Sequence, residues 1–332
     1  MFLRQCYRRT YIMAVFSNHA AVGSREDLQD VIYSISPTDT PFMNSIGQGK
    51  ASNTLHEWQT DALASVNVSN AAIEGADAST STLSATTRLN NQCQILQKTI
   101  SVSRTLEAVD KAGRKSEQAY QLAKASKEIK RDLEAILLSN QIKDAGSAAE
   151  ARTMGGIQTW INTNGDFASA GTAGSLGATA RVDGTTDGAE RAFTETILKT
   201  VIKEVYESGG DPSMLLVSPA QKQVVSGFAG IAAQRYMAPA DAPTTIIGAA
   251  DVYMSDFGTI SVVPDRFMLA SNSADDIALV LDPEFLEVNY LRPFTTNDLA
   301  IAGDQAAKQQ IITEATLGVL NEGAHGICAD LA

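Results

Sequence analysis

The sequence predicts an α+β fold, and three features carry that expectation. Amphipathic stretches with helical spacing and runs of β-branched residues are interleaved, without the regular alternation that builds a parallel sheet. The C-terminal part is almost wholly strand-like, as in "ADVYMSDFGTISVVPDR", "DIALVLDPEFLEVNYLRPF" and "QQIITEATLGVLNEGAHGICADL". No segment repeats along the chain, so a solenoid or propeller is not the architecture.

Size and composition bound the rest. The chain has 332 residues, enough for one large domain or two ordinary ones, and its 44% hydrophobic and 19% charged content suits a folded protein. No apolar run approaches the roughly 20 residues that span a bilayer, so the reading is a soluble protein with no membrane partner. A net charge of −12 argues against gripping nucleic acid by neutralising phosphates, though not against enclosing it. Cys6, Cys93 and Cys328 are odd in number and dispersed. They imply neither a disulfide framework nor a zinc site, and a reducing compartment is the simpler assumption.

The opening "MFLRQCYRRTYI" carries Arg4, Arg8 and Arg9 but lacks the apolar core of a signal peptide. Met13 reads as the functional start, with residues 1–12 an upstream extension; a short basic arm touching nucleic acid is the alternative. In "SREDLQDVIYSISPTDTPFMNSI", Ser24 and Asp27 form a capping pattern before a small apolar face of Leu28, Val31 and Ile32. Pro37 and Pro41 are then expected to end that helix and force an extended path, giving an arm with little core of its own.

Strand-like pieces follow near residues 53–61 and 88–101, separated by a polar stretch containing "IEGADAST". They can pair as the sides of a two-stranded excursion, which would be marginal alone in water. The strongest helix starts near Ser116 or somewhat earlier, in "SEQAYQLAKASKEIKRDLEAILLSNQ", with Leu122, Ile129, Leu133, Ile136 and Leu137 at helical spacing. Residues 162–188 are rich in Gly, Ala, Ser and Thr and read as a long surface loop. A second amphipathic helix, "AERAFTETILKTVIKEVYESGG", ends at Gly209 and Gly210. Then come a buried strand, Met214–Val217, and a helix with Ser218 at its N-cap and Pro219 in its first turn.

Catalytic motifs fail at their defining positions. His56-Glu57 begins H-E-x-x-H, but the fifth residue is Thr60. The glycines around "NSIGQGKAS" lack a phosphate-loop pattern, since Asn44 stands where Gly is needed and Ala51 follows Lys50. His19 and His325 have no Cys or His at metal spacing. No catalytic, cofactor-binding or metal-binding residues are assigned, and no cofactor is expected. An uncharacterised hydrolase with a spatially assembled site is the alternative from another class.

The order of these elements resembles a tailed-bacteriophage major capsid (major head) protein of Hong Kong 97-like fold, of the branch first catalogued as a domain of unknown function. The resemblance rests on "REDLQDVIYSISPTDTPFMNSIGQGKASNTLHEWQTDAL", "AAIEGADAS", "MGGIQTWI", "PSMLLVSPAQKQVVSGF" and "EATLGVLNEGAHGICADL", which span nearly the whole chain from Met13. It implies an N-terminal arm at 13–50, an extended β loop at 51–100, a peripheral domain at 101–189 and 272–332 with a spine helix at about 107–142, and an axial domain at 190–271.

The resemblance also implies function: self-assembly into hexamers and pentamers of an icosahedral head shell around double-stranded DNA. Scaffold and portal proteins would be partners, and host cytoplasm the place of assembly. An encapsulin-like cellular shell of the same fold is the alternative. A polar excursion and a proline-rich arm make physical sense if neighbouring subunits supply the missing surface. Ile35, Phe42, Trp58 and Ile73 are the expected inter-subunit contacts, Trp58 being the best anchor; core positions within one chain are the alternative for Phe42 and Trp58. The lysine–asparagine cross-link of one relative is not expected here, because Lys50 and Lys98 flank the excursion and none lies within it.

Overall fold

The structure, a computed structural model, describes residues 36, 38–75, 77, 83–111, 113–176, 182–228, 251–269, 274–300 and 306–332. Residues 1–12, the helix expected from Ser24, and Ile35 lie outside them.

The described chain opens with one helical turn, α1 (Pro41–Ser45), then β1 (Gly47–Lys50) and the paired strands β2 (Leu55–Thr60) and β3 (Thr87–Gln92). Strand β4 (Gln94–Ser103) leads into the short α2 (Arg104–Ala108) and the long α3 (Glu117–Leu137). After α4 (Ile157–Trp160) come three two-residue strands, β5 (Gly165–Asp166), β6 (Ser175–Leu176) and β7 (Val182–Asp183). Next are α5 (Glu195–Glu207), β8 (Met214–Val217) and α6 (Pro219–Ser226). Strands β9 (Val252–Ser255), β10 (Gly258–Pro264), β11 (Ala278–Leu281), β12 (Leu286–Leu299), β13 (Ala306–Val319) and β14 (Gly326–Cys328) complete it.

Two sheets organise the molecule. The first has the order β1-β12-β13-β4, built on the hairpin of β12 and β13. β4 pairs with β13 from Ala306↔Ser103 to Ala315↔Gln94. The stretch read as one side of the excursion is therefore divided: residues 87–92 pair with β2, while 94–103 join the four-stranded sheet through β13, near the C-terminus. Long-range strand pairing leaves no local sequence signal, which is why the division was not visible.

Helix α3 packs on this sheet. Its N-cap is Ser116, whose hydroxyl accepts from Ala119 N at 3.1 Å. Ala125, Ile129, Leu133 and Leu137, four apart, are all buried on one face. The expected spine helix of 107–142 is thus shorter and broken, with α2 and α3 separated by residues 109–116. At 1.5 Å per residue, α3 is about 32 Å long.

The second sheet has the order β5-β14-β11-β8-β10-β9. Its central strands read "MLLV" and "ALVL" and are buried at every position, because each face covers a different core. Met214, Leu216, Leu279 and Leu281 face the main core with Leu133, Trp160 and Leu317. Leu215, Val217, Ala278 and Val280 face a second core with Leu198, Val201, Ile202 and Val205 of α5. This sheet crosses the expected boundary at 271/272: β11 and β14 lie on one side of it and β8, β9 and β10 on the other.

Two further expectations meet the structure differently. Pro41 does not force an extended path; it occupies the first turn of α1, where its missing N–H is no loss. The glycine-rich region is a surface loop pinned at several points. Asp330 accepts from Ala168 N at 2.8 Å and from Gly188 N, and Arg191 pairs with Asp166 at 2.7 Å. Ser218 and Pro219 cap α6 as read from the sequence, with the Ser218 hydroxyl accepting from Gln221 N.

Candidate assembly surface

The β2–β3 ladder is the root of the excursion. Its register runs from Leu55↔Gln92 to Thr60↔Thr87. Three side chains fix it to the body. Trp58 is half-buried and packs on the fully buried Trp160, ring centroids 5.3 Å apart, with His56 at 5.7 Å on the same strand. Asn91, 0% exposed, donates to Leu317 O at 2.8 Å and Gly155 O at 3.2 Å and accepts from Gly155 N at 2.9 Å. Lys143 donates to Asn90 O at 3.2 Å and to the Asn90 side chain. Its desolvation lowers the lysine pKa.

Beyond the root, no such support is present among the described residues. Leu63 is 99% exposed, Val66 91%, Val68 96%, Ile73 82% and Leu83 89%. Single exposed apolar residues are ordinary on a surface. Five on one excursion form an apolar set that the described residues of the chain leave uncovered.

A second exposed group sits at the edge of the six-stranded sheet. Val252 and Met254 of β9 are 56% and 73% exposed, and Phe257 in the following turn stacks on Tyr206 of α5 at 4.7 Å. Among the described residues β9 pairs only with β10, and its outer edge offers backbone groups to a further strand.

The four contacts expected from sequence are scattered. Ile35 lies outside the described residues. Phe42 is 0% exposed, in a core formed by Leu133, Met154 and Val288 among others, so its ring offers nothing to a neighbour. Pro41 starts a helical turn that swings Phe42 inward, and this is the physical reason the arm reading misplaced it. Trp58 steadies the root from within its own chain, and Ile73 stands free. Sequence reasoning named neither Leu63, Val66, Val68 and Leu83 nor the β9 edge. Their signal was present as isolated apolar residues in a polar stretch, but nothing local marks them as unpartnered.

Nothing catalytic is assembled around the histidines among the described residues. His56 Nε2 lies 3.9 Å from Glu287 at the root, and His325 is fully buried, its Nδ1 accepting from Asp282 N at 3.3 Å. Asp187, Asp276 and Asp330 bring carboxylate oxygens within 4.8 Å of one another. Asp330, the buried member, already accepts from two backbone amides, so the group serves to clamp a loop. Lys98 is engaged with Asp132 of α3 at 2.9 Å.

Comparison with known proteins agrees with this geometry. The family model for the SU10 major capsid protein matches residues 12–332. The major capsid protein of Escherichia phage Phieco32 is 31% identical over 248 residues, covering 64% of this chain and 69% of that protein. Among solved structures, the capsid asymmetric unit of cyanophage A-1(L) superposes with a TM-score of 0.67 at 11% identity, covering 95% of this chain and 98% of the other. An encapsulin from Synechococcus elongatus superposes at 0.53 with 11% identity, covering 94% and 93%. At such identities these structures speak to the fold, which is the Hong Kong 97 fold of phage capsids. The chain belongs to the SU10 major capsid protein family: it is a major capsid protein of a phage, a structural component of the virion and not an enzyme.

Proposed function

We propose that copies of this chain close into hexamers and pentamers of an icosahedral shell that encloses double-stranded DNA, and that residues 62–84 of each copy lie on a neighbour. The observation that supports this reading is the row of exposed apolar side chains from Leu63 to Leu83 on a root held rigidly by Trp58, Asn91 and Lys143. A rigid root with an uncovered apolar tip contributes nothing to an isolated chain and gains burial only in an assembly. Ile73 on the excursion and Ile35 on the arm are the proposed contacts, and the β9 edge with Met254 is a further one. Scaffold and portal proteins are the proposed assembly partners, and host cytoplasm the place where assembly occurs. The net charge of −12 favours a wall past which packaged DNA moves without adhering.

Ile73→Asp tests the reading. The side chain is exposed, so folding stability of the single chain should stay within about 0.5 kcal/mol. Shell formation, read by negative-stain microscopy and sedimentation, should fall at least about tenfold, since a charge would be buried at every copy of the contact. Normal shells from that variant would refute the placement. The encapsulin superposition reflects the shared fold alone and does not weigh against the phage assignment.

A further inference from the structure

Deep within the chain two carboxyl groups meet. Glu134, near the end of α3, and Asp265, just past β10, are both 0% exposed. Glu134 Oε1 accepts from Phe42 N at 2.7 Å and Oε2 from Met43 N at 2.9 Å, which ties the first turn of α1 to α3. Asp265 Oδ1 accepts from Phe267 N at 2.8 Å, and its backbone N donates to Val217 O at 2.9 Å. Its second oxygen, Oδ2, is buried with no N–H or cationic partner. Three separate parts of the fold thus converge: the root of the N-terminal segment, the long helix, and the exit of a central strand.

Among the described residues, no group on the adjoining elements neutralises a second negative charge there. α1 contains no charged residue. Arg131, on α3, has its guanidinium over the Phe267 ring, 5.8 Å from the centroid. Arg266 is exposed. Tyr290 of β12 directs its hydroxyl to Met43 Sδ at 3.9 Å, and burial raises its pKa, so it stays neutral. Burial pushes both acids above the usual carboxylate range.

We propose that Glu134 and Asp265 hold one proton between them, carried on Asp265 Oδ2, and that this proton latches the root of the N-terminal segment onto the long helix. The position of the proton follows from the hydrogen bonds. Both Glu134 oxygens accept amides, the pattern of an ionised carboxylate, while Asp265 Oδ2 is the oxygen left over. A protonated Oδ2 donates to Glu134, in the manner of two carboxylates sharing one site. When the proton leaves, two like charges stand buried side by side, and the amides that close on them must let go. The root of the N-terminal segment is thereby coupled to pH: closed at neutral and acidic pH, loosened in alkali.

Amide hydrogen exchange of the full-length chain tests this. The amides of Phe42, Met43 and Phe267 are followed from about pH 6 to about pH 10, after correction for base-catalysed intrinsic exchange. Their opening should increase by about tenfold per pH unit once the shared proton is lost, while amides of Leu198 and Val201 in the second core stay unchanged. Asp265→Asn should remove the dependence with the latch still closed, because an amide NH₂ donates to Glu134 as the protonated acid does. Opening that does not vary with pH in the unmodified protein overturns the proposal, as does an Asp265→Asn protein with the unmodified pH profile. If that variant does not fold, infrared spectroscopy of the unmodified protein decides. A protonated-carboxyl band should persist at neutral pH and vanish in step with the opening, and its absence at neutral pH overturns the proposal.

Discussion

Replacing Asn91 by Ala should destabilise the chain far more than its short polar side chain would lead one to expect. The side chain is 0% exposed and takes part in four hydrogen bonds, accepting from Gly155 N and Gln92 N and donating to Gly155 O and Leu317 O. It therefore joins the excursion root to the loop after α3 and to β13. Ala removes all four: Gly155 N–H and the Gly155 and Leu317 carbonyls lose these partners in a space closed to bulk water, and Gln92 N–H loses its own in a half-buried one. At about 1–3 kcal/mol for each stranded group, with partial relaxation, the loss should be about 3 kcal/mol or more. In thermal unfolding of the unassembled chain this corresponds to a fall of roughly 5 °C or more. Asn67→Ala is the control, since Asn67 is exposed and caps only Ser69 N at 2.9 Å. Equal melting of the two variants, within about 1 °C, would refute the claim that Asn91 locks the root.

Two other predictions follow from buried groups. Burial lowers the His325 pKa to about 4 from an ordinary 6.5, so the folded state favours the neutral ring. The associated stability is complete above about pH 6.5 and is lost as pH falls toward 4, by about 3 kcal/mol in all. Denaturant midpoints across that range should fall with pH, and His325→Asn should flatten the profile; a parallel profile in the variant would contradict the assignment. Gly156→Ala should destabilise by about 2–4 kcal/mol, because a Cβ there would stand 2.0 Å from Ser139 O, a backbone atom with no free path of retreat. An unchanged melting temperature would show that the backbone approach is looser than the structure has it.

Local signals survived the passage from sequence to structure best. The helix start near Ser116, the Ser218 cap, Pro219 in its first turn, the Met214–Val217 strand and the glycine stop after α5 all depend on a few adjacent residues, and all are present. Gly209 closes that helix with φ of +93°, a conformation glycine adopts without strain. Long-range pairing was another matter. Nothing near residue 94 reveals that β4 belongs to β13, and nothing near Pro41 reveals that Glu134 waits to receive its helical turn. Phe42 takes the core position that the sequence left open as the alternative, and that pairing is what decides it. The candidate surface was legible in outline, as a polar excursion with no cover of its own. Its membership was not, because exposure is a property of the whole fold: Trp58 and Ile73 look alike in sequence and differ only in what the body places beside them.

The account rests on a neighbour covering what one chain leaves bare. Electron cryomicroscopy of assembled particles measures this directly. Leu63, Val66, Val68, Ile73 and Leu83 should lie within about 4 Å of side chains from another copy. Density that leaves these residues facing solvent in a complete shell would contradict it.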